Sequence, residues 1–458
     1  MQPVYVRPDS AVPASWPTGD AYLRQSEAAL PAVTYRDIFR DPRLQALIEQ
    51  ALVNNRDLAV AAANIAAARE QVRIQRAQQL PQVDAGVGAM GADSGSDTSA
   101  RYQAGLSIPG FEVDLFGRLR SLTDVQRSRY LATEAAARAT RLALVSDIAG
   151  AWLTYAADSS LLSIAQGTVT SAQKSVKLTR ARLEGGIAPR TDLRQAEQVL
   201  ENAKADAADQ RAALAQDVNL LRLLVGAEVD PKLLPASIDQ AAPTVAELPA
   251  GLDSQILLRR PDVVEAEYQL RAANAQIGAA RAALFPRISL TGLLGFASSA
   301  LTGLFSGGSF AWSAGADATY TIFQAGAGRA NVRLTEAQKA AAVATYQRAI
   351  QQAFREVADA LARRGTIGEQ LRARQAQREA AADTYLLTEA RYRNGIDSFL
   401  ASLDAQRSYY AAQRTLVLSR LEAATNLVDL YRSLGGDSLL TTPEPTGLSL
   451  RQVSGLGR

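Results

Sequence analysis

The stretch from Phe310 to Ile322, FAWSAGADATYTI, alternates without a break. Phe310, Trp312, Ala314, Ala316, Ala318, Tyr320 and Ile322 fall on one side; Ala311, Ser313, Gly315, Asp317, Thr319 and Thr321 fall on the other. A period of two over thirteen residues is the spacing of a β-strand with one apolar face. Upstream, Ile288, Leu290, Leu294 and Phe296 interleave with Ser289, Thr291 and Gly295, and a small-residue turn from Ser298 to Ser309 joins the two runs. An apolar face of this kind serves as the inner face of a soluble sandwich or as the lipid face of a membrane barrel. Strands of ten to thirteen residues, small polar residues on the second face, and Trp312 and Tyr320 as interface aromatics suit the barrel. Ile288 to Ala316 carries no charge, but its Gly and Ser clusters argue against a membrane helix.

Outward from this hairpin the chain repeats itself. Asn55, Arg56, Asp57, an Ala-rich run to Arg76, then Leu80 and Pro81 recur as Arg260, Pro261, Asp262, a run to Arg281, then Phe285 and Pro286. Leu178, Thr179, Arg180, Ala181, Arg182, Leu183, Glu184, Gly185, Gly186, Ile187 pairs with Leu387, Thr388, Glu389, Ala390, Arg391, Tyr392, Arg393, Asn394, Gly395, Ile396. The offset stays near 205 to 209, so two tandem copies of about 200 residues make up the chain.

Each copy presents its patterns in the same order. A helix, Arg56 to Leu80 or Pro261 to Leu284, ends at a Pro that its interior would not tolerate. A hairpin follows. In the first copy Val83, Ala85, Val87 and Ala89 face Tyr102, Ala104, Leu106 and Ile108 across a polar loop, Asp93 to Ala100. Helical stretches of about 65 residues come next, Arg118 to Glu184 and Arg329 to Arg393, which at ~1.5 Å per residue reach roughly 100 Å. Leu142, Val145, Ala149, Trp152 and Ala156 alternate spacings of three and four, as do Tyr346, Ile350, Ala353, Val357 and Ala360; this is a coiled-coil seam. Gly185-Gly186 and Asn394-Gly395 sit where left-handed C-caps stop these helices, with Thr191 and Asp397 as N-caps of the returning ones. On the second return leg Val417, Leu421, Ala424, Val428 and Tyr431 continue the seam.

The expected division is an N-terminal segment 1–55; a first repeat 56–226 with hairpin 83–113, long helix 114–184 and return helix 191–226; and a linker 227–259. A second repeat 260–434 has hairpin 287–322, long helix 326–393 and return helix 398–434, and a tail 435–458 closes the chain.

Composition removes most chemistry. The chain of 458 residues has no His and no Cys, which excludes a Ser-His-Asp triad, a Cys-His nucleophile, structural zinc, a Cys-held iron-sulfur cluster and His-ligated haem. No Lys follows a Gly, which excludes a P-loop, and no cofactor or metal site is expected. A net charge of +3 over this length implies no nucleic-acid partner. With 47% apolar and 21% charged residues the chain can bury a core, and a mean hydropathy of −0.07 excludes a polytopic helical membrane protein. The N-terminus, Met1, Gln2, Pro3, Val4, Tyr5, has neither a charged nor an apolar leader region, so the sequence reads as cytosolic or as a mature exported form restarted with Met.

Four strands cannot close a membrane barrel, whose smallest known forms have about eight, and an open edge in lipid leaves backbone groups unpaired. The chain must therefore oligomerise. Three copies would give twelve strands, with the long helices forming a tube whose shape suggests passage rather than chemistry.

The order helix, hairpin, long helix, turn, helix, present twice, resembles the TolC-type outer-membrane efflux channels, more specifically the OprM-like (NodT-type) branch serving tripartite RND drug pumps. The strand-to-helix junction Phe111, Glu112, Val113, Asp114, Leu115, Phe116, Gly117, Arg118 carries the resemblance. So do Leu258, Arg259, Arg260, Pro261, Asp262; the run Ala272 to Ala283; and Leu403, Asp404, Ala405, Gln406, Arg407. It covers nearly the whole chain, from Tyr5, Arg7 and Pro8 to Leu434, Gly435, Gly436. It implies a homotrimer with a 12-stranded outer-membrane β-barrel, four strands per chain, continuous with a periplasmic α-helical barrel in a Gram-negative bacterium. An equatorial belt would come from the N-terminal segment, Asp230 to Gly251 and the C-terminal tail. The implied role is a passive exit duct, closed at its periplasmic tip until a periplasmic adaptor and an inner-membrane RND transporter engage it, with small-molecule drugs in transit and outer-membrane lipid around the barrel. Members of the branch usually begin, after processing, with a lipid-bearing Cys, whereas this chain has Met1 and no Cys.

Leu400, Asp404 and Arg407, spaced by four and three, share one helix face after the Asn394-Gly395 turn. Alone they read as a solvated helix start with an internal ion pair. The resemblance implies a ring of Leu400 and a ring of Asp404 carboxylates where the tube narrows, with Arg407 paired to Asp404. It likewise implies that Tyr392 and Asp192 hydrogen-bond to keep the tip closed; the plain alternative is a seam tyrosine and an early-turn dipole partner. The turn residues Gly185, Gly186, Asn394 and Gly395 would meet the adaptor, or are ordinary interhelical loops. Two other functions fit parts of the pattern: a TolC-like duct for protein secretion, and a soluble coiled-coil scaffold with a small sandwich. Enzymatic activity is not expected.

Overall fold

The alternating runs fold into one antiparallel sheet of four strands in the order β1-β2-β3-β4: β1 Asp84–Asp93, β2 Thr98–Val113, β3 Arg287–Ser298 and β4 Phe310–Thr319. In chain order the helices are α1 Tyr35–Ile38, α2 Pro42–Asn54, α3 Arg56–Ala77, α4 Arg118–Glu184, α5 Arg190–Val225, α6 Ile238–Ala241, α7 Pro261–Ala282, α8 Ala327–Arg393 and α9 Phe399–Ser433. This computed structural model describes residues 2–8, 12–13, 34–93, 98–244 and 254–436. Of the three equatorial segments expected from the sequence, residues 1, 9–11, 14–33, 245–253 and 437–458 lie outside the described residues. No described helix is long and apolar enough to cross a membrane.

Two hairpins become one sheet because β2 pairs with β3 along its length. Within the first hairpin Ala85 faces Leu106, Val87 faces Ala104 and Ala89 faces Tyr102. The β2–β3 register shifts between Ile108, opposite Gly292, and Phe111, opposite Leu290, so Pro109 and Gly110 together face the single residue Thr291. Such a bulge suits a Pro, which has no N–H to give the ladder. It also reverses the parity of β2: Leu106 and Ile108 before it share a face with Phe111 and Val113 after it. The apolar face thus continues across the bulge, and Leu106, Leu290, Leu294, Phe310 and Trp312 on it are exposed. Strand β4 stops at Thr319, short of the expected Ile322. Its partner β3 begins at Arg287, opposite Thr319, and Pro286 before it cannot extend the pairing.

The chain divides into two units. The first holds residues 1–10, 61–136 and 262–349, hence the sheet, most of α3 and nearly all of α7. Here residues 2–8 are strapped along α7. Arg7 Nη2 donates to Glu267 Oε2 at 2.6 Å, the Tyr5 hydroxyl donates to Glu267 Oε1 at 3.3 Å, and Asn274 Nδ2 donates to the Pro3 carbonyl at 2.8 Å. Glu267 is buried, and Arg7 and Arg271 hold its carboxyl below the usual range against the opposing effect of burial. The strap passes so close to Gly278 that a Cβ there would lie 2.8 Å from Gln2 Cβ. Helix α3 buries none of its 22 residues.

The second unit holds 11–60, 137–261 and 350–458, and contains the largest core. Asp41 caps α2 by accepting from Arg43 N at 2.8 Å, with Pro42 at the first helical position. Leu44, Leu47, Ile48 and Ala51, spaced three, one and three, are fully buried against Trp152, Ile148, Leu221 and Tyr431. Each large apolar side chain buried this way contributes about 1.5–3 kcal/mol. The Trp152 indole donates to the Leu233 carbonyl at 2.9 Å, and Asn55 Nδ2 donates to the Leu224 carbonyl at 2.8 Å. Gly226 ends α5 with φ +72°, where a Cβ would lie 2.6 Å from the Asn54 carbonyl oxygen. The seam residues Val145, Ala149, Trp152 and Ala156 on α4 and Ala424, Val428 and Tyr431 on α9 are all buried.

Candidate functional site at the helical turns

Both long helices end in the same device. At the end of α4, Gly186 N donates to the Leu183 carbonyl at 3.0 Å and Ile187 N to the Arg182 carbonyl at 2.9 Å, with Gly186 at φ +72°. At the end of α8, Gly395 N donates to Tyr392 O at 3.0 Å and Ile396 N to Arg391 O at 2.9 Å, with Gly395 at φ +75°. These are Schellman closures in identical register, and both need the left-handed conformation that glycine adopts without strain. Gly185, Gly186, Asn394 and Gly395 are exposed, and Asn394 Nδ2 adds a bond to the Ala390 carbonyl at 2.8 Å.

The helices that return from these turns are not capped as expected. Pro189, which offers no side-chain acceptor, precedes α5 in place of Thr191, and Ser398 Oγ accepts from Ala401 N at 3.4 Å in place of an Asp397 cap. Asp397 is engaged elsewhere. Arg391 grips it with two bonds, Nε to Oδ2 at 2.6 Å and Nη2 to Oδ1 at 3.0 Å, and holds its carboxyl below the usual range.

Behind the turns lies a small apolar cluster of Val176, Leu193, Ala196, Tyr392, Phe399 and Leu403. It fixes the orientation of α9. Phe399, Ser402, Leu403 and Gln406 are buried, whereas Leu400, Asp404 and Arg407 stand exposed on the opposite side, Leu400 at 59%. The three candidate constriction residues therefore share a free face. Asp404 and Arg407 form no ion pair among the described residues, a departure from expectation; a one-turn step along an exposed face gains little from such contact.

Tyr392 also departs from expectation. Its hydroxyl is buried without a hydrogen-bond partner among the described residues, so the bond to Asp192 is not formed. Burial pushes the Tyr392 phenol up, and burial pushes the Asp192 carboxyl up as well. The ring is held from another side by Arg182, whose guanidinium carbon lies 4.5 Å from the ring centroid. Arg182 Nη2 donates to the carbonyls of Tyr392 and Arg393, each at 3.1 Å. No role for Arg182 follows from the sequence reading, although a basic residue in the last turn before a C-cap Gly is a recognisable signal for carbonyl capture.

Further along, α5 and α9 are joined by the Tyr410 hydroxyl, which donates to Asp206 Oδ2 at 2.6 Å. Burial and the Asp206 carboxylate push Tyr410 up to about 12. Between α4 and α5, Asp217 faces Asp158. Burial first, and then the Asp158 charge, push Asp217 up to about 6, and its Oδ2 is buried without a hydrogen-bond partner among the described residues. No group of three or more metal-ligating side chains converges among the described residues.

A sheet with an exposed apolar face, duplicated long helices closed by exposed turns, and an unpaired Leu and Asp face beside one of them define a channel-forming membrane protein. The chain belongs to the outer membrane efflux protein family, whose model matches residues 47–227 and again 252–436. It is 43% identical over 462 residues to the probable efflux pump outer membrane protein TtgC of Pseudomonas putida, across 99% of this chain and 94% of the relative. Among solved structures, a membrane protein from Pseudomonas aeruginosa superposes with a TM-score of 0.89 at 38% identity, over 96% of this chain and 98% of that one. The open state of the Neisseria gonorrhoeae MtrE outer membrane channel gives a TM-score of 0.86 at 34% identity, over 96% and 98%. The protein is thus an efflux channel of the outer membrane, in the OprM-like branch of the TolC type.

Proposed function

We propose that three copies of this chain assemble into one exit duct: a 12-stranded β-barrel in the outer membrane, four strands from each chain, with the long helices forming a periplasmic α-barrel. The observation that carries this reading is the pair of free sheet edges. Strand β1 pairs with β2 and β4 with β3, and neither has a second neighbour among the described residues. Unpaired edges are costly in lipid, and closure on identical copies removes them. Helix α3 supports the same reading, since a 22-residue helix with no buried residue gains its stability only when another surface covers it.

In this assembly Leu400 and Asp404 face the lumen and form the constriction, with Arg407 one turn further along. Tyr392 and Asp192 belong to the closed tip. Gly185, Gly186, Asn394 and Gly395 meet a periplasmic adaptor, which couples the duct to an inner-membrane RND transporter. The duct is passive, so that small-molecule drugs delivered by the pump leave through it. The test is twofold. Detergent-solubilised protein is expected to have the mass of three chains and to give discrete cation-preferring currents in planar bilayers; a monomer without current overturns the proposal.

A further inference from the structure

We infer that Arg182 is a positioning residue of the tip, a tether that ties the turn of the first repeat to the helix end of the second. The inference rests on the proposal above that the tip opens and closes; its geometry does not.

Arg182 sits at the third position from the end of α4, and the residue at the same place in α8 is Arg391. The two turns close in the same register, so the two guanidinium groups start from equivalent positions. Their partners differ. Arg391 stays within its own turn, on Asp397, where the first repeat has Ala188. Without that carboxylate, Arg182 crosses to the other repeat and donates to the Tyr392 and Arg393 carbonyls at 3.1 Å each. These carbonyls belong to the last turn of α8, where the helix dipole presents its negative end; Tyr392 O already accepts from Gly395 N, and the guanidinium adds a charge-assisted donor to it and one to Arg393 O. The same group stacks over the Tyr392 ring, which the Phe399 ring packs at 5.4 Å. Removing Arg182 therefore frees the end of α8 and one face of Tyr392 in a single step. Movement of one turn against the other breaks both bonds and the stack.

The test compares Arg182→Ala, Arg182→Lys and Arg391→Ala in the full-length protein by two readouts: single-channel open probability in planar bilayers, and amide hydrogen exchange over residues 389–396. Loss of two charge-assisted bonds predicts that Arg182→Ala raises open probability about fivefold or more and speeds exchange over 389–396 by about tenfold. Arg182→Lys, which keeps the charge but grips at one point, recovers part of both effects. Arg391→Ala speeds exchange over its own turn with open probability unchanged. Open probability and exchange both unmoved in Arg182→Ala overturn the tether, as does an equal opening effect from Arg391→Ala. If wild-type protein carries no current, the duct proposal fails, and the tether is then decided by whether Arg182→Ala, a change outside the segment, speeds exchange over 389–396 and Arg182→Lys partly restores it; exchange unmoved in Arg182→Ala overturns it.

Discussion

Gly105 lies directly opposite Gly295 in the pairing of β2 with β3, and neither position has room for a side chain. A Cβ on Gly105 would sit 2.5 Å from the Leu294 carbonyl oxygen, and one on Gly295 closer still to the Ala104 carbonyl. The strand pair that joins the two repeats thus depends on hydrogen atoms at both positions. Gly105→Val is expected to force the backbones apart and to reduce folded, protease-resistant protein in the membrane fraction to roughly a tenth or less, an effect larger than an ordinary strand glycine substitution. Gly86→Val on β1 is the comparison, because nothing lies within 4 Å of its Cβ position.

The exposed face of α9 predicts a division of effects at the constriction. In the assembly proposed above, Leu400→Ala is expected to raise single-channel conductance by widening an apolar ring, and Asp404→Ala to weaken cation preference by removing converging carboxylates. Planar bilayer recordings with reversal potentials separate the two, and unchanged current and selectivity in both variants count against the assignment.

Arg260, buried in the second unit, donates to the Ser433 carbonyl at 2.7 Å and pairs with Glu356 at 2.8 Å. It thereby closes the C-terminal end of α9. Arg260→Ala leaves the carbonyl without its donor and the carboxylate half-paired, and is expected to cost about 1–3 kcal/mol. Thermal unfolding in detergent measures the loss.

Asp217 supplies the pH dependence. Its carboxyl titrates at about 6 in the folded chain against an ordinary value of 3.8. A pKa raised on folding contributes stability that is complete below the unfolded value and is lost as pH rises through the folded one. The α4–α5 contact should therefore weaken between about pH 4 and pH 6. Asp217→Asn, which keeps the shape and cannot ionise, should flatten that part of the profile. Amide exchange across 210–222 at pH 4.5 and pH 7 reads it directly, and an unaltered pH difference in the variant sinks the prediction.

Tyr392→Phe removes a buried hydroxyl that has no hydrogen-bond partner among the described residues, so the stability of the tip should stay level or rise by about 1 kcal/mol. A loss of stability would reveal a hydrogen bond that this arrangement does not contain.

Much of this architecture is legible in the sequence because local rules and tertiary outcome agree. Alternation over Phe310 to Thr319 becomes a strand, seam residues at alternating three and four are buried apart from the partly buried Leu142 and Leu421, and the glycines at 186 and 395 take the left-handed conformation their positions announce. Helix α2 was equally readable, with Asp41 before Pro42 and an apolar period at Leu44, Leu47, Ile48 and Ala51, although the segment 1–55 reads at first only as a connecting belt. The site was legible to the level of the face and not of the partner. Leu400, Asp404 and Arg407 do share one side of α9, but an ion pair between two of them does not follow from proximity. Arg182 and Arg391 are the same residue in the same register, and their partners differ with the carboxylate at 397, present in one copy and absent from the other. Asp158 and Asp217 resemble ordinary helix-surface acids until α4 and α5 are laid side by side, since 59 positions separate them.

The bulge at Pro109 and Gly110 gives β2 a mark that can be matched at only one place. A plain two-residue repeat keeps the same faces after every slip of two. One extra residue breaks that translational symmetry. A slipped pairing would set the proline against a neighbour that expects a donor, and loss of the bulge would turn Phe111 and Val113 to the wrong face. The bulge is in that sense a key cut into the strand, marking one alignment of β2 on β3.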